Sequence, residues 1–172
     1  MGWILLLALA ALVAAVVAAA RRGLANLQDS RADAWQALES QLEKRHAHMI
    51  QVVGLCARLM KYESDTLDRV TNSGSAVIAA ARRGNMPALA AADKTYRAAA
   101  ESLFRLSANY PQFGTSRAFK ALHQRAVTLD ARVDERREQY NGVVGVLNVR
   151  CRAFPYSIVA RTMGMRPAAY LS

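Results

Sequence analysis

The side chains with which this chain of 172 residues could do chemistry are few: three histidines, two cysteines and scattered carboxylates. Glu43-Lys44-Arg45-His46 sets a carboxylate and an imidazole three residues apart, so both lie on one face of a helix. That is the Glu-x-x-His spacing of di-iron sites in helical bundles, which also need a second copy and two further inward-facing glutamates. No second copy exists, and His123 has Lys120 where its glutamate would stand. The pattern therefore reads as a surface Glu–His pair, and no metal or other cofactor is expected. His46 and His48 are two apart and point to different sides of a helix. Cys56 and Cys151 lack a C-x-x-C partner and are expected to be reduced, small core residues in a cytoplasmic domain. A disulfide would fit only the opposite topology. The chain carries no nucleophile elbow, phosphate-binding loop or dinucleotide-binding glycine pattern. Gly142-Val-Val-Gly145 matches the G-x-x-G of RNA-binding KH modules, but those require strands, and a helix-packing role fits better. No catalytic residue emerges, and the expectation is a protein that is not an enzyme.

The elements that would position such residues are helical. Residues 1–20 carry no Asp, Glu, Lys or Arg, and all 23 basic and 13 acidic side chains follow. From Trp3 to Ala20 the run is apolar, without Pro or internal Gly, and about matches the roughly 20 helical residues that cross a bilayer core. Trp3 takes the place of an interfacial aromatic, and Arg21 and Arg22 mark the other edge. The positive-inside rule puts that Arg pair in the cytoplasm and the N-terminus outside. A cleaved secretory signal is the rival; it wants a charged n-region, which this chain lacks, although small residues at Ala18–Ala20 would suit cleavage. The division is a transmembrane anchor over 1–22 and a helical bundle over 23–172.

Between Leu24 and Ser73 there is no proline and one glycine, Gly54. Trp35, Leu38, Leu42, Met49, Val52, Cys56, Met60, Leu67 and Val70 recur mostly at steps of three and four, a helical stripe. The spacing predicts one helix of roughly 50–60 residues, about 75–90 Å long, running on through Ala76–Ala81. Arg83–Pro87 is its first hard break, with Pro87 suited to the next first turn. A second helix reads from Ala88 to Asn109. A third opens at a Thr115 or Ser116 cap and runs to about Cys151. A short helix near Tyr156–Met163 closes the chain. The expected fold is all-α: an N-terminal transmembrane helix, then an elongated antiparallel bundle of three long helices plus a short C-terminal helix. Continuity between the membrane helix and the first long helix stays open.

The formal charge of +10 falls entirely after residue 20, with acids interleaved. Without a basic block or basic–aromatic ladder, nucleic acid is a poor partner. A solvated helix face is the plain reading, and attraction to an anionic bilayer is the other.

Several signatures recur as a set: Asp33-Ala-Trp-Gln-Ala-Leu38 with Gln41–His46, Tyr62-Glu63, Ala108-Asn-Tyr-Pro111, Arg137-Glu-Gln-Tyr-Asn141, Asn148, Phe154-Pro155, and Met163–Tyr170. In order and spacing they resemble the LemA family of bacterial membrane proteins over about 30–172. The resemblance implies a single-pass protein of the bacterial inner membrane, a cytoplasmic helical bundle and no established enzyme activity. The chain departs from the family pattern at Leu38-Glu39-Ser40, at Ile50-Gln51-Val52-Val53, which lacks a proline, and at Tyr62, where a histidine is usual. Tyr110-Pro111 and Phe154-Pro155 read as turn and stop residues whose aromatics can lock the loops on the core. Arg45, Glu63, Asp130, Arg137, Tyr140 and Asn141 are candidates for a buried polar network that fixes register, or for a partner surface. The function expected is a membrane-anchored helical scaffold that self-associates in the lipid bilayer. The alternative is an adaptor or sensor subunit that binds an unknown cytoplasmic or membrane protein.

Overall fold

The computed structural model describes residues 2–60 and 62–171. Six helices and no strand occur among the described residues. The first, α1, spans Gly2–Cys56 without interruption, so the apolar run and the first amphipathic stretch form one helix. Ala, Leu, Arg, Gln and Glu dominate it, all strong helix formers. Leu38, Leu42, Met49, Val52 and Cys56 make its buried stripe at steps of mainly three and four.

The long helix expected to reach Ala81 ends at Cys56 instead. Met60 N–H donates to the Cys56 carbonyl at 2.8 Å and closes the last turn. α2 then runs over Ser64–Arg82, with Glu63 at its N-cap position. Buried Met60 and Leu67 stand seven apart, a separation that an unbroken helix shares, so periodicity cannot reveal the break. Burial decides it. Gly74 lies against the His46 ring, and Arg82 donates to Glu43 at 3.0 Å. In one straight helix, residues 46 and 74 would be about 42 Å apart at 1.5 Å per residue. Folding back lets the Leu67, Val70, Val77 and Ala80 face leave water.

α2 ends in a Schellman motif: Asn85 N–H reaches the Ala80 carbonyl, Gly84 N–H reaches Ala81, and Gly84 holds φ +62°. α3 spans Met86–Ser107, with Asn85 Oδ1 accepting from Ala88 N–H and Pro87 in the first turn. The expected turn at Tyr110–Thr115 contains a one-turn helix, α4, Pro111–Thr115, which seats buried Phe113. α5 spans Arg117–Arg152, capped by the Ser116 hydroxyl accepting from Phe119 N–H and continuous through Gly142 and Gly145. α6 spans Tyr156–Thr162, after a cis Phe154–Pro155 bond. Among the described residues α1, α2, α3 and α5 are long, because the break after Cys56 makes two helices of the first of the three expected.

The chain forms two compact units. One joins Gln36–Glu138 with Leu171. In it, contacts from α1 to α2 pair 43 with 82 and 46 with 74; those from α1 to α5 pair 45 with 130 and 48 with 122; those from α3 to α5 pair 97 with 134 and 104 with 123. In each case one number rises as the other falls. The other unit joins the chain up to Trp35 with Gln139–Tyr170. Its core is Ala20, Leu24, Leu147, Val159 and Ala160, with Leu27, Tyr156 and Met163 packed on it. There the Asn148 amide clamps the closing segment twice, donating to the Ala168 carbonyl at 3.0 Å and accepting from Ala168 N–H at 2.8 Å.

Candidate functional site

His46, His48 and Cys56 are held among packed helices, whereas Glu43 and His123 stay exposed on the surface. Glu43 turns to Arg82, and His46 turns to Gly74, so the Glu-x-x-His pair faces α2. Burial and the neighbouring Arg45 charge hold the His46 pKa below its ordinary value. His48, buried, donates from Nε2 to the Leu122 carbonyl at 2.8 Å. His123 stacks on Phe104 with centroids 4.2 Å apart. Cys56 and Cys151 are free thiols, and burial pushes Cys56 up to about 11, so it holds almost no thiolate at neutral pH.

The main polar feature is a chain of alternating charges through the unit of Gln36–Glu138. Arg45, only 3% exposed, reaches in from α1. It bonds Asp93 on α3, and Asp130 on α5 at 3.2 Å. Its guanidinium also lies 4.3 Å from the Tyr96 ring centroid. Asp93 accepts from Arg97 at 2.8 Å, Arg97 donates to Asp134 at 2.7 Å, and Asp134 accepts from Arg137 at 2.9 Å. Arginines and aspartates thus alternate from Asp130 to Arg137, and their formal charges cancel.

The two carboxylates on Arg45 titrate in opposite directions. Burial pushes Asp93 up, but the Arg45 charge and the hydrogen bonds from Arg97 and Arg45 outweigh it, so its pKa lies below the ordinary value. For Asp130, burial dominates over Arg45 and Arg97, with Asp93 adding to the rise, and its pKa lies above. Burial also raises the Tyr96 hydroxyl, which has no hydrogen-bond partner. Asp93 is thus the principal counter-ion of Arg45. Only the Arg45–Asp93 end is deeply buried, while Asp130, Arg97, Asp134 and Arg137 are each about a third exposed, and ion pairs of either kind add little net stability over an apolar core.

Of the residues singled out by sequence, the structure joins Arg45, Asp130 and Arg137 in this chain. Glu63 stands apart at the start of α2, where its carbonyl accepts from Thr66 and Leu67 N–H groups and its side chain makes no cap bond. Tyr140 and Asn141 belong to the other unit. There Tyr140 meets Trp35 edge-on at 5.3 Å and donates to the Ala169 carbonyl, while Asn141 is half-buried. Asp93, Arg97 and Asp134 escaped notice. Their signal was present: Asp93 and Arg97 are i,i+4, and Asp130, Asp134 and Arg137 step by four and three along one face.

Tyr110 packs edge-on against Phe113, which meets Phe119 at 4.5 Å, and Pro111 opens α4. Phe154 differs from the expected lock: it stands 81% exposed, with half-buried Pro155 beside it. Trp3 is 84% exposed, and Arg21 and Arg22 are exposed too. Ile4 to Val17 likewise show their apolar side chains outward, so α1 carries a stretch long and apolar enough to cross a membrane.

Open depressions lie on the surface, one of them bordering the charged chain. That one, about 500 Å³, is lined by Ala90, Asp93, Lys94, Arg97 and Arg137. Another, about 430 Å³, lies between α2 and α3, with Arg69 and Arg105 among its walls.

In comparison with known proteins, the model of the LemA family matches residues 34–172. No curated protein matches the chain.

Proposed function

The chain belongs to the LemA family, and we propose that it is a membrane-anchored, non-enzymatic helical scaffold that self-associates. The observation that carries this reading is the outward, solvent-exposed apolar surface of α1 from Trp3 to Val17, which suits lipid. The same stretch supports association. Ala10, Ala14 and Ala18, and Ala11, Ala15 and Ala19, repeat at four-residue steps, the small-x-x-x-small pattern along which membrane helices approach closely. The Arg21–Arg22 pair supports a single pass with the N-terminus outside and the C-terminal bundle in the cytoplasm, at a bacterial inner membrane. The opposed pair order of α1, α2, α3 and α5 supports an antiparallel bundle. The non-enzymatic reading draws on the engagement of His46 and His48 in packing, of His123 in its stack on Phe104 and of Glu43 in a surface ion pair with Arg82.

The test is the mass of the full chain extracted in mild detergent. A discrete homo-oligomer that Ala11→Ile with Ala15→Ile breaks down is the expected result, since bulk at close-approach positions separates the helices. A monomer at native expression overturns self-association and favours the second reading, an adaptor. That reading draws on the depression lined by Ala90, Asp93, Lys94, Arg97 and Arg137, a concavity that a segment of a partner protein could enter, with Lys94 as the cation on its wall that no aspartate of the charged chain engages. Loss of a co-purifying protein in Arg137→Ala would identify it.

A further inference from the structure

We propose that the corner between α5 and α6 is a second membrane-seated element, resting in the headgroup layer of an anionic phospholipid bilayer beside the anchor. The inference rests on the anchoring of α1.

Position comes first. α5 descends along α1 within one unit: Tyr140 meets Trp35, and Arg150 stands against Gly23. A methyl group at Gly23 would lie 3.5 Å from Tyr156 Cε1 and 3.6 Å from Arg150 Nη1. α6 covers Ala20, the last residue of the charge-free run, which is 2% exposed, whereas the side chains before it face outward. The corner therefore stands at the level where the apolar segment ends. α5 and α6 turn there by 98°.

Surface chemistry comes second. Around the bend, Phe154 is 81% exposed, Val149 68% and Ile158 58%. Such a patch of large apolar side chains at one bend marks a contact surface. Its charged neighbours are of one sign. Arg150, Arg152, Arg161 and Arg166 are the only charged residues after Glu138, and Arg21 and Arg22 the only ones before Asp29. Arginine forks onto phosphate with two parallel hydrogen bonds, and an aromatic among arginines is the composition of an interfacial segment. Exclusive positive charge beside the lipid-facing helix matches an anionic bilayer. Phe154, Val149 and Ile158 enter the acyl boundary while the arginines hold phosphates.

The experiment uses the full chain with Cys56→Ala and Cys151→Ala, in nanodiscs of phosphatidylcholine with or without phosphatidylglycerol. A bimane label on Phe154→Cys is quenched by brominated lipid or by aqueous iodide, with Leu9→Cys as the lipid reference and Gln112→Cys as the water reference. The expected result is quenching of the Phe154 label by lipid and shielding from iodide in anionic discs. Arg152→Gln with Arg161→Gln should weaken seating by about thirtyfold, from about 1 kcal/mol per basic residue near an anionic surface. A Phe154 label that behaves like the one at Gln112 while that at Leu9 is lipid-quenched overturns the proposal and leaves the anchor standing. Loss of lipid quenching at Leu9 overturns both. Shielding of the Phe154 label from both quenchers overturns it in favour of a protein cover. Ile158→Cys reads the same corner if the Phe154 variant unfolds.

Discussion

Asp93 and Asp130 share one arginine yet are not equivalent partners. Asp93 is more deeply set and also accepts from Arg97, so removing its charge leaves Arg45 with one weaker counter-ion in a nearly dry site. Breaking a buried pair by deleting one partner costs about 3–5 kcal/mol; Asp93→Asn should approach that, whereas Asp130→Asn should cost less than about 1 kcal/mol, because burial disfavours the Asp130 charge that it removes. Their pH dependence is opposed. The folded pKa of Asp93 is depressed, so its contribution is present above the unfolded value of about 3.9 and lost as pH falls through the folded value. The folded pKa of Asp130 is raised, so ionising it costs stability as pH rises from about 3.9 through the folded value. Urea unfolding of the detergent-solubilised chain between pH 3 and 7 reads both. The deficit of Asp93→Asn should grow with pH, and that of Asp130→Asn should shrink. Parallel slopes would contradict the assignment of Asp93 as principal counter-ion. Arg45 and Arg137 were legible as candidates because they fall in the signature stretches Gln41–His46 and Arg137–Asn141. Asp93, Arg97 and Asp134 were not, because a lone i,i+4 pair looks the same on a wet face as on a buried one. Only tertiary packing tells the faces apart.

Helix pairing turns on close approach at one glycine. A Cβ at Gly74 would sit 2.5 Å from His46 Nδ1 and 3.0 Å from Cε1, nearer than atoms can stand. Alanine at an exposed helical site gains about 1 kcal/mol over glycine, while overpacking costs about 1–3 kcal/mol. Gly74→Ala should therefore lower the thermal midpoint, and adding His46→Ala should restore it, with a coupling of about 1–2 kcal/mol in the double-mutant cycle. A stabilised single Gly74→Ala variant would show that α2 does not seat on α1 at this point. The end of α1 at Cys56 belongs to the same scale. Asn85, Gly84 and Pro87 announce the boundary between α2 and α3 by local chemistry, and Ser116 announces α5. The stretch Ala57–Met60 holds no glycine or proline, and the seven-residue step from Met60 to Leu67 keeps the helical phase. That break is made by the burial gained on folding back, and locally only Ser64 and Asp65 in the first turn of α2 hint at it.

For the whole molecule, the question is whether the apolar segment is part of the folding unit or only its tether. Residues 2–19 show their side chains outward, and Ala20 is the first to be covered by protein. Deleting 2–19 therefore removes no buried side chain, and the family match itself begins at residue 34. The shortened chain should keep its helical circular-dichroism signal, and its midpoint should move by less than about 4 °C, the effect of about 1 kcal/mol in a domain of this size. It should also leave the salt-resistant membrane fraction. Retention on anionic vesicles should persist through the arginines around α6 and fade as salt rises, because screening shortens to about 8 Å at physiological ionic strength. Loss of helix on deletion would mean that the segment stabilises the fold, against the exposure of all its side chains. With the fold intact, salt-sensitive vesicle binding separates the two membrane contributions. α1 supplies an apolar term that salt does not weaken, and the basic corner supplies a Coulombic term that it does.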